Sequence, residues 1–578
     1  MEFLHESLVN FQVAVDITEN NFEMHYPSII ETINTCDFIA FDLEFSGTDY
    51  KSYFRSVYVD TFETRYAKYR VDAENFYPIE LGICCFTWDN ARQCYRSRPF
   101  NFFISPYAHK LNNPNLSIRA STLGFLREHN FKFGRLFSEG IPTLRKSDEE
   151  KILNCMRMSV DRYDYKNEKE KNEIEKAIQQ IDQWLSTVNA ATTSPVSDED
   201  DIPVTHTLLL GPFDSHKRKL LYQLVGHMYP FLCMRETDDD NASLGKSKSR
   251  YTRVYLTKKP SEVATRQIPD ICNHAGVRRI VEAILQSQKP LIGFQAMGDL
   301  AFMIGGIYRE LPKRLVDFLV MIEELKVLVD MKVIVELPFL EDEELDKCSL
   351  SKAYEKVHDV YYGEPDILSA LIDDGNISPH DAAHDAYMTG VLFVKLLYRC
   401  GMKRENVLKF TDLLENPEKQ KELPPMMKSF VEKLNHVNLY HMNHSMPLRL
   451  SLYNNLLNQY HEELCDRDDV LVIENIAPWL NTKHFSTFFK NRYGVSSGIF
   501  YNWLDDFTLL VKLPSKDIVS KVCEDWLTEV TSEESEGARY KMPTDFMNRH
   551  VMMKDLVISR FSRYEEMCFV NKQCVRNC

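Results

Sequence analysis

The sequence lacks the features that mark membrane, secreted and disulfide-rich proteins. Its 14 cysteines are scattered and include no CxxC pair, and no apolar run reaches the roughly 18 residues that a membrane helix needs. The opening MEFLHESLVN has neither the basic nor the apolar part of a signal peptide, and the ending KQCVRNC has no cysteine fourth from its end. We therefore expect no membrane span, no lipid anchor and a reducing, intracellular setting.

Basic residues are also in deficit. The chain has 69 lysines and arginines against 85 aspartates and glutamates, and the resulting net charge of −16 argues against a protein that coats nucleic acid by bulk charge. A polyanionic substrate would have to be bound in a local basic groove. Hydrophobic residues make up 44% of the chain, which excludes a disordered chain or a coiled-coil rod.

The 578 residues predict about three to four domains. Strand and helix patterns occupy residues 1–142 and return at 275–410, so we expect one α/β domain in two segments. An amphipathic helical stretch, an acidic linker and a small basic unit form an insertion at 143–274. Beyond the α/β domain we expect a helical connector at 428–464, a β-α-β-β-α unit at 465–545 and a tail at 546–578.

Two acids interrupt the first apolar strand pattern, DFIAFDLEF. Asp42 and Glu44 lie two residues apart, so their carboxylates project from the same face of the strand. If both were buried without compensation, they would repel each other and lose their hydration. A divalent cation would satisfy both, and ligation by oxygen alone favours Mg²⁺ or Mn²⁺. The alternative is an acid pair that faces water on an edge strand.

Further candidates follow later in the chain. Asp299 falls on the first turn of a helix after the strand PLIGF, where an acid can also be a plain partner of the helix dipole. In HDAAHDAYMTG, His380 precedes Asp385 by five residues, about 140° around a helix, so we expect His380 in the loop ahead of that helix. Zinc binding by His380 and His384 is an alternative, but no glutamate follows the first histidine.

Together, Asp42-x-Glu44, Asp299 and His380-x4-Asp385 have the order and context of the DEDDh exonucleases. The chain further resembles the poly(A)-specific ribonuclease (PARN) family, which includes PARN-like trimmers of small-RNA 3′ ends. The stretches that carry this resemblance are DFIAFDLEFSG, RYAKYR, ELGICCFTWD, FLREHNFKFGRLFSEGIPTL, PLIGFQAMGDL, LVDMK and HDAAHDAYMTG.

The resemblance implies a fold class and a chemistry. The fold would be α/β: a ribonuclease-H-like DEDD exonuclease core with a mixed sheet, an inserted small α/β RNA-binding-like domain, and a C-terminal α+β domain like an RNA-recognition motif (RRM). In that family the residues matching Asp42, Glu44, Asp299 and Asp385 hold two Mg²⁺ ions, with Mn²⁺ as an alternative, and the residue matching His380 is the general base. Such a site suits hydrolysis that releases 5′ nucleoside monophosphates from a free RNA 3′ end.

The resemblance also implies substrate contacts. Among Phe45, Ser46 and Gly47, the glycine would let a backbone approach closely and the phenylalanine would offer an apolar face to the terminal base, or simply pack in the core. Lys332 matches a lysine that contacts RNA, and a solvated lysine is the alternative. Trp503, followed closely by two aspartates, matches a tryptophan that some members place against an mRNA cap.

The chain departs from the family pattern at two places. Phe294 and Gln295 stand where the family has His-Asn, which changes the hydrogen bonding around Asp299 but removes no metal ligand. In the insertion, the family's Arg-x3-His signature reads Arg218 to Tyr222, so its histidine is missing. Basic residues of the insertion would hold a phosphate backbone or form a solvated face, namely Lys217, Arg218, Lys219 and the run GKSKSRYTR.

Two tasks fit such an enzyme. One is trimming the 3′ ends of small RNA precursors, such as piwi-interacting RNAs, which the weakened insertion favours slightly, and the other is shortening poly(A) tails. The alternative of another class is a catalytically silent RNA-binding or scaffold protein, which the intact catalytic residues disfavour. The resemblance implies as partners single-stranded RNA with a free 3′ end, a second copy of the chain, and Piwi-pathway or RNA-granule proteins. The location would be the cytoplasm, in perinuclear granules, or the nucleus.

Overall fold

The structure is a computed structural model that describes most of the chain. The described residues are 15–50, 56–109, 112–158, 165–189, 207–229, 232–238, 250–256, 274–358, 365–369, 381–440, 442, 444–464, 467–531 and 556–569. Within this part of the chain, no helix is both long and apolar enough to cross a bilayer.

Strands and helices occur along the whole of the described chain. The strands are β1 (Val15–Ile17), β2 (Phe38–Phe45), β3 (Pro78–Asp89), β4 (Cys94–Pro106), β5 (Ile141–Thr143), β6 (Thr207–Leu210), β7 (Leu232–Asp238), β8 (Arg250–Leu256), β9 (Leu291–Gly293), β10 (Leu328–Asp330), β11 (Ile367–Ser369), β12 (His436–Val437), β13 (Met446–Pro447), β14 (Val470–Glu474), β15 (Phe500–Trp503), β16 (Leu509–Lys512) and β17 (Val557–Arg560). The helices are α1 (Phe22–Thr35), α2 (Phe62–Asn75), α3 (Ala120–Glu128), α4 (Phe133–Glu139), α5 (Lys146–Met158), α6 (Glu168–Asn189), α7 (Ser215–Met228), α8 (Arg278–Ser287), α9 (Met297–Phe302), α10 (Leu315–Met321), α11 (Met331–Ile334), α12 (Leu350–His358), α13 (Ala382–Arg399), α14 (Arg404–Val407), α15 (Phe410–Glu415), α16 (Pro417–Lys421), α17 (Pro425–Glu432), α18 (Leu450–Leu464), α19 (Thr482–Tyr493), α20 (Lys516–Thr531) and α21 (Phe561–Phe569).

The chain divides into two compact units. The first comprises residues 1–106, 115–142 and 277–578, and the second comprises 107–114 and 143–276. The first unit contains a mixed sheet of order β1-β4-β3-β2-β9-β10, in which β2, β3 and β4 pair antiparallel and β9 and β10 join in parallel. This confirms the mixed sheet that the sequence predicts.

Both faces of this sheet are covered. Helices α1, α2, α8 and α9 pack on the face that carries Ile39, Phe41 and Leu43 of β2, whereas α12 and α13 pack on the face that carries Phe38 and Ala40. A strand that is buried on both faces needs a nearly continuous apolar run, which is why β2 reads FIAFDLEF. Its two acids are therefore exceptions to the local pattern.

Helix α13 crosses the sheet at very short range. The side chain of its N-cap residue, Asp381, accepts a hydrogen bond from the backbone N–H of His384 at 3.3 Å. A Cβ atom on Gly82 would lie 2.0 Å from the backbone carbonyl of Ala382, and Gly82 is also the strand partner of Asp42. The missing side chain at position 82 is thus what lets α13 approach the strand that carries the acids.

The second unit contains the antiparallel sheet β6-β8-β7 and helices α6 and α7. Ile174, Ile181 and Leu185, which belong to the amphipathic helical stretch predicted in the insertion, are buried in its core. Lys217 is engaged in an ion pair, with its Nζ 2.6 Å from Glu173 Oε2. The acidic linker and residues 245–249 of the basic run lie outside the described residues.

The carboxy-terminal part of the first unit has the element order β-α-β-β-α-β, formed by β14, α19, β15, β16, α20 and β17. Its four strands pair antiparallel in the order β15-β16-β14-β17. The last strand, Val557–Arg560, and the helix that follows it lie in the tail segment that carries no readable sequence signal. Residues 532–555 lie outside the described residues.

We predict that Gly82→Ala lowers the thermal stability and displaces the start of α13. Overpacking of this kind costs about 1–3 kcal/mol, and here the obstacle is backbone rather than a side chain that could move. Thermal unfolding followed by circular dichroism measures the effect. Gly124→Ala in α3 is the matched control, because nothing lies within 4 Å of a Cβ there. Equal unfolding midpoints for the two variants would contradict the prediction.

Candidate active site

Strand β2 and helix α13 bring three acids together. Carboxylate oxygens of Asp42, Glu44 and Asp385 all lie within 4.8 Å of one another. Asp42 and Glu44 are two residues apart on β2, and Asp385 lies in the first turn of α13. The juxtaposition predicted from Asp42-x-Glu44 and HDAAHDAYMTG is therefore present for these three residues.

A fourth acid lies beside them. Asp299, on α9, is 8% exposed. The pKa of Asp42 is raised well above its ordinary value, first by burial and then by the charge of Asp299, followed by Asp385 and Glu44. Burial, with the charge of Asp381, raises the pKa of Asp385 to about 7. The four carboxyl groups thus destabilise one another's charged forms.

The donor set fits a divalent cation. Among the described residues, no lysine or arginine forms an ion pair with the four carboxylates. A buried carboxylate without a partner is costly, and oxygen ligands are those that Mg²⁺ and Mn²⁺ take. Asp42, Glu44 and Asp385, with Asp299 beside them, would hold such an ion.

Of the two histidines in the segment HDAAHDAYMTG, the structure describes only His384. His380 lies outside the described residues, so its role as general base stays a prediction. His384 lies on α13 with its ring half-buried, and burial lowers its pKa. Its ring centroid is 6.3 Å from that of Tyr387, in a packing contact along the helix.

Glu80 is a further acid at this site that the sequence analysis missed. It is the partner of Glu44 in the pairing of β2 with β3, and it is 2% exposed. Asn101 donates a hydrogen bond to one of its oxygens. Burial and then the charge of Asp381 raise the pKa of Glu80 to about 8. The signal was available, because Glu80 interrupts the apolar run PIELGICCF just as Asp42 interrupts β2.

Asp330 fixes the turn that leads to Asp299. It is fully buried at the end of β10, and Gln295 in the turn has a left-handed φ of +57°. Burial raises the pKa of Asp330 to about 6 despite its hydrogen bonds. Its carboxylate accepts four backbone N–H groups, from Gln295 at 2.7 Å, Ala296 at 3.2 Å, Lys332 at 3.0 Å and Asn438 at 2.8 Å. These bonds hold the segment that contains Phe294 and Gln295, the two residues that stand where the family has His-Asn.

A cavity of about 270 Å³ opens beside Asp299. Phe45 lines it, and its ring stacks on Phe302 with centroids 4.0 Å apart. Two cations of α2, Arg65 and Lys68, also line it. The full lining is Phe45, Thr48, Asp49, Ser56, Arg65, Lys68, Tyr69, Asp72, Gln295, Gly298, Asp299, Phe302 and Tyr440. The cavity therefore combines an aromatic wall with a cationic one next to the acidic cluster.

The residues after Phe45 are engaged within the protein. Ser46 is buried, and its Oγ accepts a hydrogen bond from the backbone N–H of Tyr77 at 2.8 Å. A Cβ on Gly47 would lie 2.6 Å from the ring of Phe76, so glycine is needed for this packing. Their proposed contacts with a substrate stay predictions.

Two other predicted contacts also have partners inside the chain. The ammonium group of Lys332 donates to the backbone carbonyl of Asp346. The indole N–H of Trp503 donates to Thr482 Oγ1 at 3.0 Å, with the ring half-buried. The structure thus places neither residue at the acidic cluster, and their roles in binding RNA and a cap stay predictions.

We predict that Asp330→Asn lowers the stability by about 1–3 kcal/mol, because an amide oxygen cannot accept all four backbone N–H groups and its NH₂ group faces donors. It should also weaken Mn²⁺ binding, since the turn that positions Asp299 loses its anchor. Thermal unfolding and Mn²⁺ titration measure the two effects. Asp317→Asn, which breaks an exposed ion pair with Arg314, is the control and should change neither. An unchanged Mn²⁺ affinity in Asp330→Asn would contradict the positioning role.

We further predict that metal binding releases protons. Because the pKa of Asp385 is raised to about 7, the metal-free site retains part of a proton near pH 7, and a cation must displace it. Affinity should therefore fall as the pH decreases from about 8 to about 6, where more of this carboxyl is protonated. Mn²⁺ calorimetry in two buffers of different ionisation enthalpy counts the protons. An apparent enthalpy that is the same in both buffers would contradict this.

Comparison with known proteins identifies the family. A family model described as CAF1 family ribonuclease matches residues 17–393. The chain is 28% identical over 398 residues to the pre-piRNA 3′-exonuclease trimmer of Bombyx mori, covering 66% of this chain and 71% of that protein. It is 24% identical over 420 residues to the poly(A)-specific ribonuclease PARN of Xenopus laevis, covering 66% of this chain and 62% of that protein, which is less than two thirds of that relative's length.

A solved structure of S. pombe Pop2p in its Mg²⁺- and Mn²⁺-bound form is 10% identical, covers 67% of this chain and 93% of its own, and has a TM-score of 0.32. The family match includes all four acids of the site and more than half of the 578 residues. The chain therefore belongs to the CAF1 family of ribonucleases, and its acidic site supports the 3′-to-5′ exoribonuclease activity of that family.

Proposed function

We propose that this exoribonuclease depends on Mg²⁺ and removes nucleotides one at a time from the free 3′ end of single-stranded RNA, releasing 5′ nucleoside monophosphates. The observation that carries the proposal is the cluster of Asp42, Glu44 and Asp385 oxygens within 4.8 Å of one another. No protein cation within the described residues neutralises this cluster. Such a site suits divalent cations, and a bound cation would contact the phosphodiester of the substrate on the solvent side.

The acids and His380 have different tasks in this reaction. When bound, the cation supplies stabilisation of the negative charge that develops on the phosphate. Asp42 and Glu44 are held by the central strand β2 and Asp385 by α13, so their oxygens keep a fixed geometry while the substrate changes. His380 would accept the proton of the attacking water at a ring nitrogen, because an imidazole titrates near the working pH.

The cavity beside Asp299 supports binding of the terminal nucleotide. Phe45 offers a surface for stacking, and Arg65 and Lys68 supply positive charge where a phosphate would lie. The cavity has a volume of about 270 Å³, and we propose that it holds one unpaired terminal nucleotide.

We propose trimming of small RNA precursors as the task, with poly(A) shortening as the second candidate. Stacking on an aromatic ring and attraction to cations are tolerant of base identity, and the cavity is lined by groups of these two kinds together with Asp49, Asp72, Asp299 and several uncharged polar side chains. A nuclease that trims mixed sequences needs this tolerance. The match to the Bombyx mori trimmer, over 71% of that protein, is a further support. The corresponding place of action is the cytoplasm.

The test is a time course with Mg²⁺ on two 5′-labelled RNAs, one ending in oligo(A) and one in mixed sequence. We expect one-nucleotide ladders on both at similar rates, and a loss of activity of at least about 10³-fold in Asp42→Ala, since the cluster loses a ligand. Glu31→Ala, an exposed acid on α1, is the control and should be fully active. Laddering of the oligo(A) RNA alone would favour poly(A) shortening. No laddering on either RNA would refute the activity and favour a silent RNA-binding protein.

A further inference from the structure

The carboxy-terminal sheet has both of its faces buried. Leu471 and Ile473 of β14 point towards helices α19 and α20. Val470 and Val472 of β14 and Leu510 of β16 point to the opposite face, and all three are fully buried. In RRM-like units this second face is the one that presents aromatic side chains to RNA bases. Here the three residues are aliphatic and are covered by other parts of the chain.

Two helices cover that face, together with Val57 and Val59. Helix α21 directly follows β17. Phe561, Tyr564 and Cys568 are spaced along one side of this helix and pack on the sheet. Helix α2 of the nuclease core contributes Ala67 and Val71 to the same cluster. The sheet face, α21 and α2 therefore share one apolar core.

A buried polar network fastens this contact at Asp60. Its carboxylate accepts hydrogen bonds from Tyr564 Oη at 2.8 Å, from Lys68 Nζ at 2.7 and 2.9 Å, and from Arg65 Nε at 2.8 Å. Burial alone would raise the pKa of Asp60, but the charges of Lys68 and Arg65 outweigh it and the pKa is lowered. Arg467, just ahead of β14, donates to the carbonyl of Val59 at 3.1 Å.

The same two cations line the cavity beside Asp299. Arg65 and Lys68 therefore have Asp60 and Tyr564 on one side and the cavity on the other. Because all four side chains of this network are buried, a change at Tyr564 is poorly compensated by water. The position of the cavity wall and the docking of the carboxy-terminal unit are thus linked through one carboxylate.

We propose that the carboxy-terminal RRM-like unit does not offer its sheet to RNA but docks that face on α2, where Tyr564 and Asp60 act as positioning residues for the cationic wall of the nucleotide cavity. The proposal rests on the proposed function for the role of the cavity. The docking itself does not, so the two can be tested separately.

Tyr564→Phe tests the proposal in the full-length chain, because it removes the hydroxyl and keeps the packing of the ring. We expect kcat for RNA to fall about tenfold while KM stays within about twofold, since a wall that is slightly misplaced slows the reaction more than it weakens binding. Hydrogen exchange of the α2 amides, 62–75, should become faster. Tyr493→Phe, in the same unit on the helix side of the sheet, is the matched control and should change neither quantity.

A second measurement addresses RNA directly. RNA bound to the Asp42→Asn protein and cross-linked by ultraviolet light should leave β14 and β16, residues 470–474 and 509–512, unlabelled. Crosslinks there, or a Tyr564→Phe protein with unchanged kcat and unchanged α2 exchange, would overturn the proposal. If the wild type degrades no RNA, the proposed function fails, but the α2 exchange still decides whether Tyr564 fastens the docked unit.

Discussion

The repulsion between half-buried carboxylates is the constraint on which the rest of the core depends. Asp42, Glu44 and Asp385 are held within 4.8 Å of one another, and both burial and mutual repulsion oppose this arrangement. Packing elsewhere in the core has to supply the free energy that offsets this cost. The acids accordingly lie on a central strand and on a helix that is buried along most of its length. Gly82 contributes by letting the strand and the helix start approach each other.

Two fully buried acids in this protein are satisfied by the chain in different ways, whereas the half-buried Asp42 is not. Asp60 is neutralised by two cations and a hydroxyl, and Asp330 accepts four backbone N–H groups. Asp42 has no cationic partner within the described residues, and its pKa is raised by its acidic neighbours. Burial of an acid is therefore a poor sign of a metal site when taken alone. The informative sign is an acid removed from water whose requirement for positive charge the described part of the chain leaves unmet.

The sequence predicts the parts of the site that depend on local pattern. Asp42 and Glu44 interrupt a strand with a clear apolar run, and Asp385 lies on a helix with a marked start. Asp330 could not be assigned its role in this way, because its donors come from segments around 295, 332 and 438 that meet only in the folded chain. The same holds for β17 and α21. They are short elements whose stability comes from packing on β14 and α2, and the local sequence does not show that packing.

The network around Asp60 also bears on how an acidic chain can bind a polyanion. With a net charge of −16, the protein as a whole repels RNA. Arg65 and Lys68 share the single carboxylate of Asp60, so the network retains one positive charge next to the cavity. A charge in a buried setting acts more strongly on a nearby phosphate than one on the surface, where water and salt screen it. The retained charge therefore attracts a phosphate locally and offsets part of the negative charge of Asp49, Asp72 and Asp299, which line the same cavity. The carboxylate that fixes its position is also the one that Tyr564 of the carboxy-terminal unit contacts.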